Sequence, residues 1–397
     1  MTRQAIGAGV LMLAMATAHP ANAQDRVLLQ LDWIPTGEHA AYFSGAERGA
    51  WREHGIELSL TRGYGSGDTV QKVAAGAAPF GVADISAVLA SRARQNTPVK
   101  LIMQIYTHSP HSLFVLKSSG ITNFRGLEGK RIGITPGNSH RLYFPEVARR
   151  AGTDPDRIQW VNTDASAMAA LLIAKRIDAA PFFAIHHYYQ NKAAQRAGEE
   201  IVVLPFVETG FAIYATGLVT TDQIIAQNPD LVRRFLRGAT DAFTWANANR
   251  EEACKLHVQR NREVELDDCM GSLSVMLEHV FNEDSERDGL GRFNPDQLAF
   301  TYDAVSKVVS LGVWRCWQRS ALKHIAPPAD CPRVLEVAHG TGDLQIDLLR
   351  AGYHTIGYDL SPSMGRIARR KLRRQGLTPL LARGRAQALP FPAEHFD

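Results

Sequence analysis

The stretch VLLQLDWIPTGEHAAYFSGAERGAWREHGIELSLTRGYGSGD, residues 27–68, decides the fold. Val27–Leu31 is a short apolar run that ends before Pro35, so it reads as a strand. Ala40–Glu53 has helical periodicity, and Ile56–Thr61 is a second apolar run. Gly63, Gly65 and Gly67 then make a turn, and Asp68 opens a helix that runs to about Ala75. Strands that alternate with helices of this length predict parallel βαβ units.

The alternation continues outward. Phe80–Val82 and Val99–Ile105 read as strands around a helix at Ile85–Arg94. Arg131–Ile134, Ile158–Val161, Ala180–Phe183 and Ile201–Pro205 repeat the pattern after residue 130. Two α/β units in tandem are expected, joined near His108–Ser112 and again near Glu208–Ile213. Beyond Asp222 the chain turns helical, over Pro229–Arg250, Arg250–Gln259, Asp267–Phe281 and Asn294–Val309. The strand-to-helix turns, including Gly137-Asn138-Ser139, lie at strand C-terminal ends, where open α/β sheets take ligands.

A chain of 397 residues implies more than one core. Arg3, an apolar run from Ala5 to Ala18 and the small residues Ala21-Asn22-Ala23 read as a secretory signal, so export from the cytoplasm is expected. Residues 310–397 hold 13 Lys and Arg against 7 Asp and Glu, while the remainder is near balance. The basic run Arg366–Arg374 lacks interleaved aromatic residues, which favours the solvated face of a helix over a nucleic-acid patch. Four scattered cysteines offer no metal-ligand spacing. Cys254 and Cys269 can either close a loop worth about 3 kcal/mol or pack unpaired in helices.

Leu31-Asp32-Trp33-Ile34-Pro35 with His39, then Gly65-Ser66-Gly67-Asp68, Phe80-Gly81-Val82-Ala83-Asp84 and Leu127–Gly133 resemble the extracytoplasmic solute-binding proteins of ABC importers. The branch is the one that handles thiamine-pyrimidine precursors, riboflavin, nitrate and sulfonates. The resemblance covers residues 24–309 and implies a type II, two-lobed periplasmic-binding-protein-like fold. Lobe 1 would hold about 25–108 and 213–309, and lobe 2 about 112–208. It also implies a monomer that clamps a small solute and docks on a membrane permease, without a cofactor. The residues expected at the cleft are Trp33, His39, Ser66, Gly67, Asp84, Ser86, Asn138, Ser139, Phe183 and Glu208. Each has a plain structural alternative: Asp84 can simply cap its helix, Phe183 can be core, and Glu208 can serve a hinge salt bridge. The carboxylates Asp32, Asp84 and Glu208 favour a neutral or weakly basic heteroaromatic over an anion, which would call for Arg or Lys.

One relative in that superfamily, the fungal thiamine-pyrimidine synthase, is an enzyme that uses a pyridoxal-phosphate-bound lysine and a histidine. Aligned here, those residues fall at Asp84 and Val88, so the synthase chemistry is disfavoured.

The end of the chain reads differently. Arg333–Val337 is a strand, His339-Gly340-Thr341-Gly342-Asp343 a glycine turn, and Thr355–Tyr358 a second strand that ends at Asp359. With Leu389-Pro390-Phe391 and a leading helix around Trp314–His324, the segment resembles class I S-adenosylmethionine-dependent methyltransferases, as an incomplete Rossmann-like half-domain after a linker at 310–332. The resemblance would put Glu336, Gly340 and Gly342 at the cofactor's methionine end and Asp359 at its ribose. Ala338 stands where the family's first glycine lies, and Arg385 where an acidic residue meets the adenine amine. The chain ends at Asp397, where the family's fourth strand begins, so a junction of two truncated genes and an inactive segment are expected; the alternative is a bifunctional fusion in which the segment is functional and uses S-adenosylmethionine.

Overall fold

The computed structural model describes residues 24–310, 318–325, 333–392 and 395–396. The signal at 1–23, Cys316, Cys331 and residues 314–317 of the proposed leading helix lie outside the described residues.

The first sheet comprises β1 (Asp25–Gln30), β2 (Ile56–Thr61), β3 (Phe80–Asp84), β4 (Val99–Gln104) and β10 (Thr216–Thr221), in the order β2-β1-β3-β10-β4. The second holds β5 (His111–Leu116), β6 (Arg131–Ile134), β7 (Gln159–Asn162), β8 (Ala179–Phe183) and β9 (Ile201–Pro205), in the order β7-β6-β8-β5-β9. The expected parallel βαβ units are present as β2-β1-β3 and β7-β6-β8, but neither sheet is purely parallel. β10 runs antiparallel to β3 and β4, and β5 antiparallel to β8 and β9. The reason is topological: each is the first strand after a crossing from the other lobe. It enters its sheet at the cleft end, pairing Thr216 with Asp84 and His111 with Phe183. Both strands are buried along their whole length, so they carry no alternation to reveal them in sequence.

Lobe 1 is consolidated by the C-terminal helices. Phe80 stacks on Phe235 at 3.8 Å, and the Trp51 indole N–H donates to the Phe235 carbonyl at 3.0 Å. Gly238 makes room for that indole, since a Cβ there would lie 2.5 Å from Trp51 Cδ1. Burying each such ring is worth about 1.5–3 kcal/mol. Cys254 and Cys269 are bonded, tying helix Arg250–Arg260 to helix Leu266–Val280. Lobe 2 packs Leu113, Ile132, Tyr143, Phe144, Phe206 and Phe211, and Ala304 and Val305 of helix Pro295–Val309 join that core.

Helix Pro295–Val309 also faces the C-terminal unit, whose parallel sheet is β11 (Arg333–Val337), β12 (His354–Asp359) and β13 (Leu381–Arg383). Asp303 accepts from Thr341 Oγ1 at 2.7 Å and from Lys371 Nζ at 2.9 Å, and Asp296 pairs with Arg370. Among the described residues no helix is long and apolar enough to cross a membrane.

Candidate functional site: the cleft between the lobes

The segment that leaves β1 is braced before it reaches the cleft. Asp32 C=O accepts from Gly65 N–H at 2.8 Å and Trp33 C=O from Gly63 N–H at 2.9 Å. Residue 63 must be glycine, because a Cβ would sit 2.2 Å from the Leu31 carbonyl oxygen. The following turn, Gly37–His39, lies on the disulfide-bonded helix, where a Cβ on Gly37 would be 2.5 Å from Cys269 O. These contacts fix the Trp33 ring and the Glu38 carboxylate on the lobe 1 wall.

That wall consists of Asp32, Trp33, Glu38, Gly65 and Ser66, and lobe 2 opposes it with Asn138, Ser139, His140, Pro181, Phe182, Phe183 and His186. No Lys or Arg is among these lining residues. The lobes meet directly. Gly67 N–H donates to Gly137 C=O at 3.1 Å, and His186 Nε2 lies 2.8 Å from Glu38 Oε1. At the mouth Lys192 reaches Glu265, Asp267 and Asp268 at 2.8–3.2 Å, and Tyr188 donates to Asp267 at 3.0 Å. The cavity between the walls is only about 40 Å³. That is room for a few waters, so entry of a solute requires the lobes to part.

The charges in the cleft are organised around Glu38, which is 3% exposed. Burial opposes its ionisation, yet His186 and His39, with hydrogen bonds from His186 and Tyr106, hold it at about 2. Behind it His39 Nε2 sits 3.3 Å from Asp32 Oδ1. Burial works against the His39 charge, but Glu38 and the Asp32 bond outweigh it and raise its pKa. Asp32 is itself raised, by burial first and by neighbouring Glu38, against the pull of His39. His140 is pushed well below the usual histidine range by burial and by His111, so it is neutral. Its Nε2 lies 3.2 Å from the Phe182 carbonyl oxygen.

Of the ten residues expected from sequence, five line the cleft: Trp33, Ser66, Asn138, Ser139 and Phe183. Asn138 also caps helix Ser139–Arg150 through His140 N–H at 2.9 Å. Gly67 spends its backbone on the other lobe, and His39 stands behind Asp32 and Glu38. Three expectations need correction. Asp84 and Ser86 do not face the cleft: both are fully buried between the lobes. Asp84 Oδ1 accepts from Ser86 N–H at 2.9 Å, from Ser86 Oγ and from Tyr143 OH, while Oδ2 lies 2.9 Å from His111 Nε2. Glu208 is exposed on the turn Phe206–Thr209 and outside the lining. Sequence reasoning missed Glu38, His140, Phe182 and His186. The pair Glu38-His39 inside the Leu31–His39 motif, and His186-His187 just after a strand, were the available signals.

In the C-terminal unit Asp359 Oδ2 accepts from Gly340 N–H at 2.9 Å and Oδ1 from Ser361 N–H at 2.8 Å, which brings the glycine turn and the acidic residue together. Asp359, Ala338 and Arg385 line one cavity, while Glu336, Gly340 and Gly342 lie outside its lining. Ala338 has φ +60°, the left-handed conformation that favours glycine. Burial pushes Glu336 up to about 7.

This architecture, two mixed five-stranded sheets clamping a cleft, is the periplasmic-binding-protein fold. It superposes on the alkanesulfonate-binding protein SsuA from Xanthomonas axonopodis pv. citri with a TM-score of 0.57 at 13% identity, covering 73% of this chain and 93% of that one. Residues 36–253, more than half of the chain, match the NMT1/THI5 like family, and the chain belongs to it. It is 28% identical over 288 residues to the riboflavin-binding protein RibY of Chloroflexus aurantiacus, covering 70% of this chain and 80% of RibY. It is 22% identical over 340 residues to the 4-amino-5-hydroxymethyl-2-methylpyrimidine phosphate synthase THI11 of Saccharomyces cerevisiae, covering 77% of this chain and 99% of that one. Residues 293–397 match the ubiE/COQ5 methyltransferase family. The segment is 34% identical over 106 residues to the ubiquinone/menaquinone biosynthesis C-methyltransferase UbiE of Bartonella tribocorum, or 25% of this chain and 41% of that enzyme's length. The family match begins at residue 293, just before helix Pro295–Val309, the helix that packs on lobe 2 and on the C-terminal unit.

Proposed function

We propose that this protein is the extracytoplasmic solute-binding component of an ABC importer and that it captures a small, neutral or weakly basic heteroaromatic solute such as a thiamine-pyrimidine precursor. The observation that carries this reading is the composition of the cleft: Trp33, Phe182 and Phe183 supply flat walls, Glu38 and Asp32 supply acceptors, and the lining holds no Lys or Arg. A sulfonate or nitrate brought against a buried ionised Glu38 would meet several kcal/mol of repulsion and desolvation. An aromatic ring gains stacking there, and an amine gains an acceptor. Closure of the lobes over the solute would create the surface that a permease reads.

Binding rather than catalysis fits the same residues. Pyridoxal-phosphate chemistry needs a cleft lysine, and none is among the lining residues; Asp84 is committed between the lobes. In the C-terminal unit the glycine turn and Asp359 suit part of S-adenosylmethionine, but Arg385 lines the cavity where an adenine amine would need an acceptor. The residues do not fit the cofactor as a whole, and we assign no methyl-transfer step to them. Calorimetry of the full chain against pyrimidines, flavins, sulfonates and aromatic acids tests the reading. Tight sulfonate binding without pyrimidine binding would reverse the ligand ranking, and a pyridoxal-phosphate absorbance band would replace transport by catalysis.

A further inference from the structure

Glu38 and His186 belong to different lobes, and their contact lies inside the cleft rather than at its rim. His186 is 3% exposed, and its ring leans on Phe183 at 6.1 Å and on Tyr189 at 5.7 Å. Glu38 keeps three partners from its own lobe: Tyr106 OH at 3.2 Å, Thr36 Oγ1 at 3.5 Å and His39 Nδ1 at 3.9 Å. Among the described residues His186 is its one partner from lobe 2. A carboxylate buried in this way needs a donor from the far side whenever the lobes close, because an ionised acceptor with an unfilled position is costly out of water. His186 Nδ1, by contrast, has no hydrogen-bond partner and is shielded from solvent, so the ring is not over-determined and can be displaced.

We propose that His186 is a resident stand-in for the solute: a flat heterocycle donating one N–H to Glu38, whose place the solute's own N–H takes. This deepens the heteroaromatic reading and rests on the cleft being the solute site. It names Glu38 as the specificity-determining acceptor and the solute class as heterocycles that carry a ring or exocyclic N–H donor. Heterocycles with acceptors only would not displace His186, nor would sulfonates.

The test is chemical rescue in the full chain with 4-methylimidazole as the probe. In His186→Ala the side chain's space beside Glu38 is freed, and millimolar 4-methylimidazole should raise the melting temperature by about 2–4 °C. The parent protein should shift less, because its own tethered imidazole competes for the position, and the Glu38→Gln/His186→Ala double variant should show no shift. His186→Ser, whose hydroxyl can still solvate the carboxylate, repeats the measurement if the alanine variant is too unstable. Equal shifts in all variants, or no shift in either single variant, would overturn the role of the pair. If calorimetry nevertheless finds a heteroaromatic solute, the importer reading stands and only the stand-in falls.

Discussion

The interlobe cleft and the C-terminal glycine turn use one structural device, a strand that ends in a loop and feeds a helix, but they treat buried carboxylates in opposite ways. Where the two lobes converge, Asp84 and Glu38 meet donors from both sides, whereas Asp32, with His39 of its own lobe, is raised by burial. Asp84 has Ser86 on its own lobe and His111 and Tyr143 on the other, and Glu38 has Tyr106 and then His186. Both are held below the usual carboxylate range against the cost of burial. In the C-terminal unit Glu336 faces burial with only Gln345 to offset it and with Asp343 and Asp359 nearby, so it rises to about 7. Opposed walls allow ionised groups to be buried, whereas one sheet leaves an acid to give up its charge.

The largest break in that comparison is expected at Asp84. Asp84→Ala leaves the buried donors of Ser86, Tyr143 and His111 without their shared acceptor, and denaturant unfolding should show a loss of about 3–5 kcal/mol. The sign with pH is set by the lowered folded pKa of Asp84. Its contribution is complete above the unfolded value and is lost as pH falls through the folded one. Acid unfolding should therefore move to higher pH in Asp84→Asn; an unchanged acid midpoint would mean that the buried pair stabilises nothing.

Trp33→Ala probes the cleft wall rather than the structure between the lobes. Solute affinity should drop by about 1–3 kcal/mol, with the melting temperature little changed. Loss of stability at unchanged affinity would mark Trp33 as core.

Glu336 sharpens the contrast from the other side. Because its folded pKa stands above its unfolded one, it costs the C-terminal unit stability as pH rises from about 4.5 to about 7. Glu336→Gln should remove that slope and stabilise the unit by about 1–2 kcal/mol at pH 8, read from hydrogen exchange of β11 and β12. A slope that survives the substitution would assign it to another group.

The smallest effect is expected from Ala338→Gly, which relieves the positive φ at the glycine turn. The gain should be at most about 1 kcal/mol, since glycine also adds entropy to the unfolded chain. A loss of stability would show that the alanine methyl packs favourably enough to offset its strain.

Much of the framework was legible in the residues themselves. The runs at 27–31, 56–61, 131–134 and 201–205 show up as strands because apolar stretches bounded by turn residues depend on local chemistry. Trp33, Ser66, Asn138, Ser139 and Phe183 were found for the same reason: they sit at strand ends or helix starts, where open α/β folds place ligands. The antiparallel insertion of β5 and β10 was not legible. Strands buried on both faces have no alternation, and direction follows from which lobe the chain has just left.

The chain's order of elements and its glycine and proline punctuation determined two α/β lobes and a glycine-turn segment after them, because backbone propensity and apolar spacing act over a few residues. Only the tertiary structure decided what the charged groups do. Asp84 and Glu38 are both acids near strand ends, and nothing local separates them. One is sealed by His111 and Tyr143 while the other faces the cleft with His186, because each carboxylate's fate depends on partners that the fold brings from far along the chain.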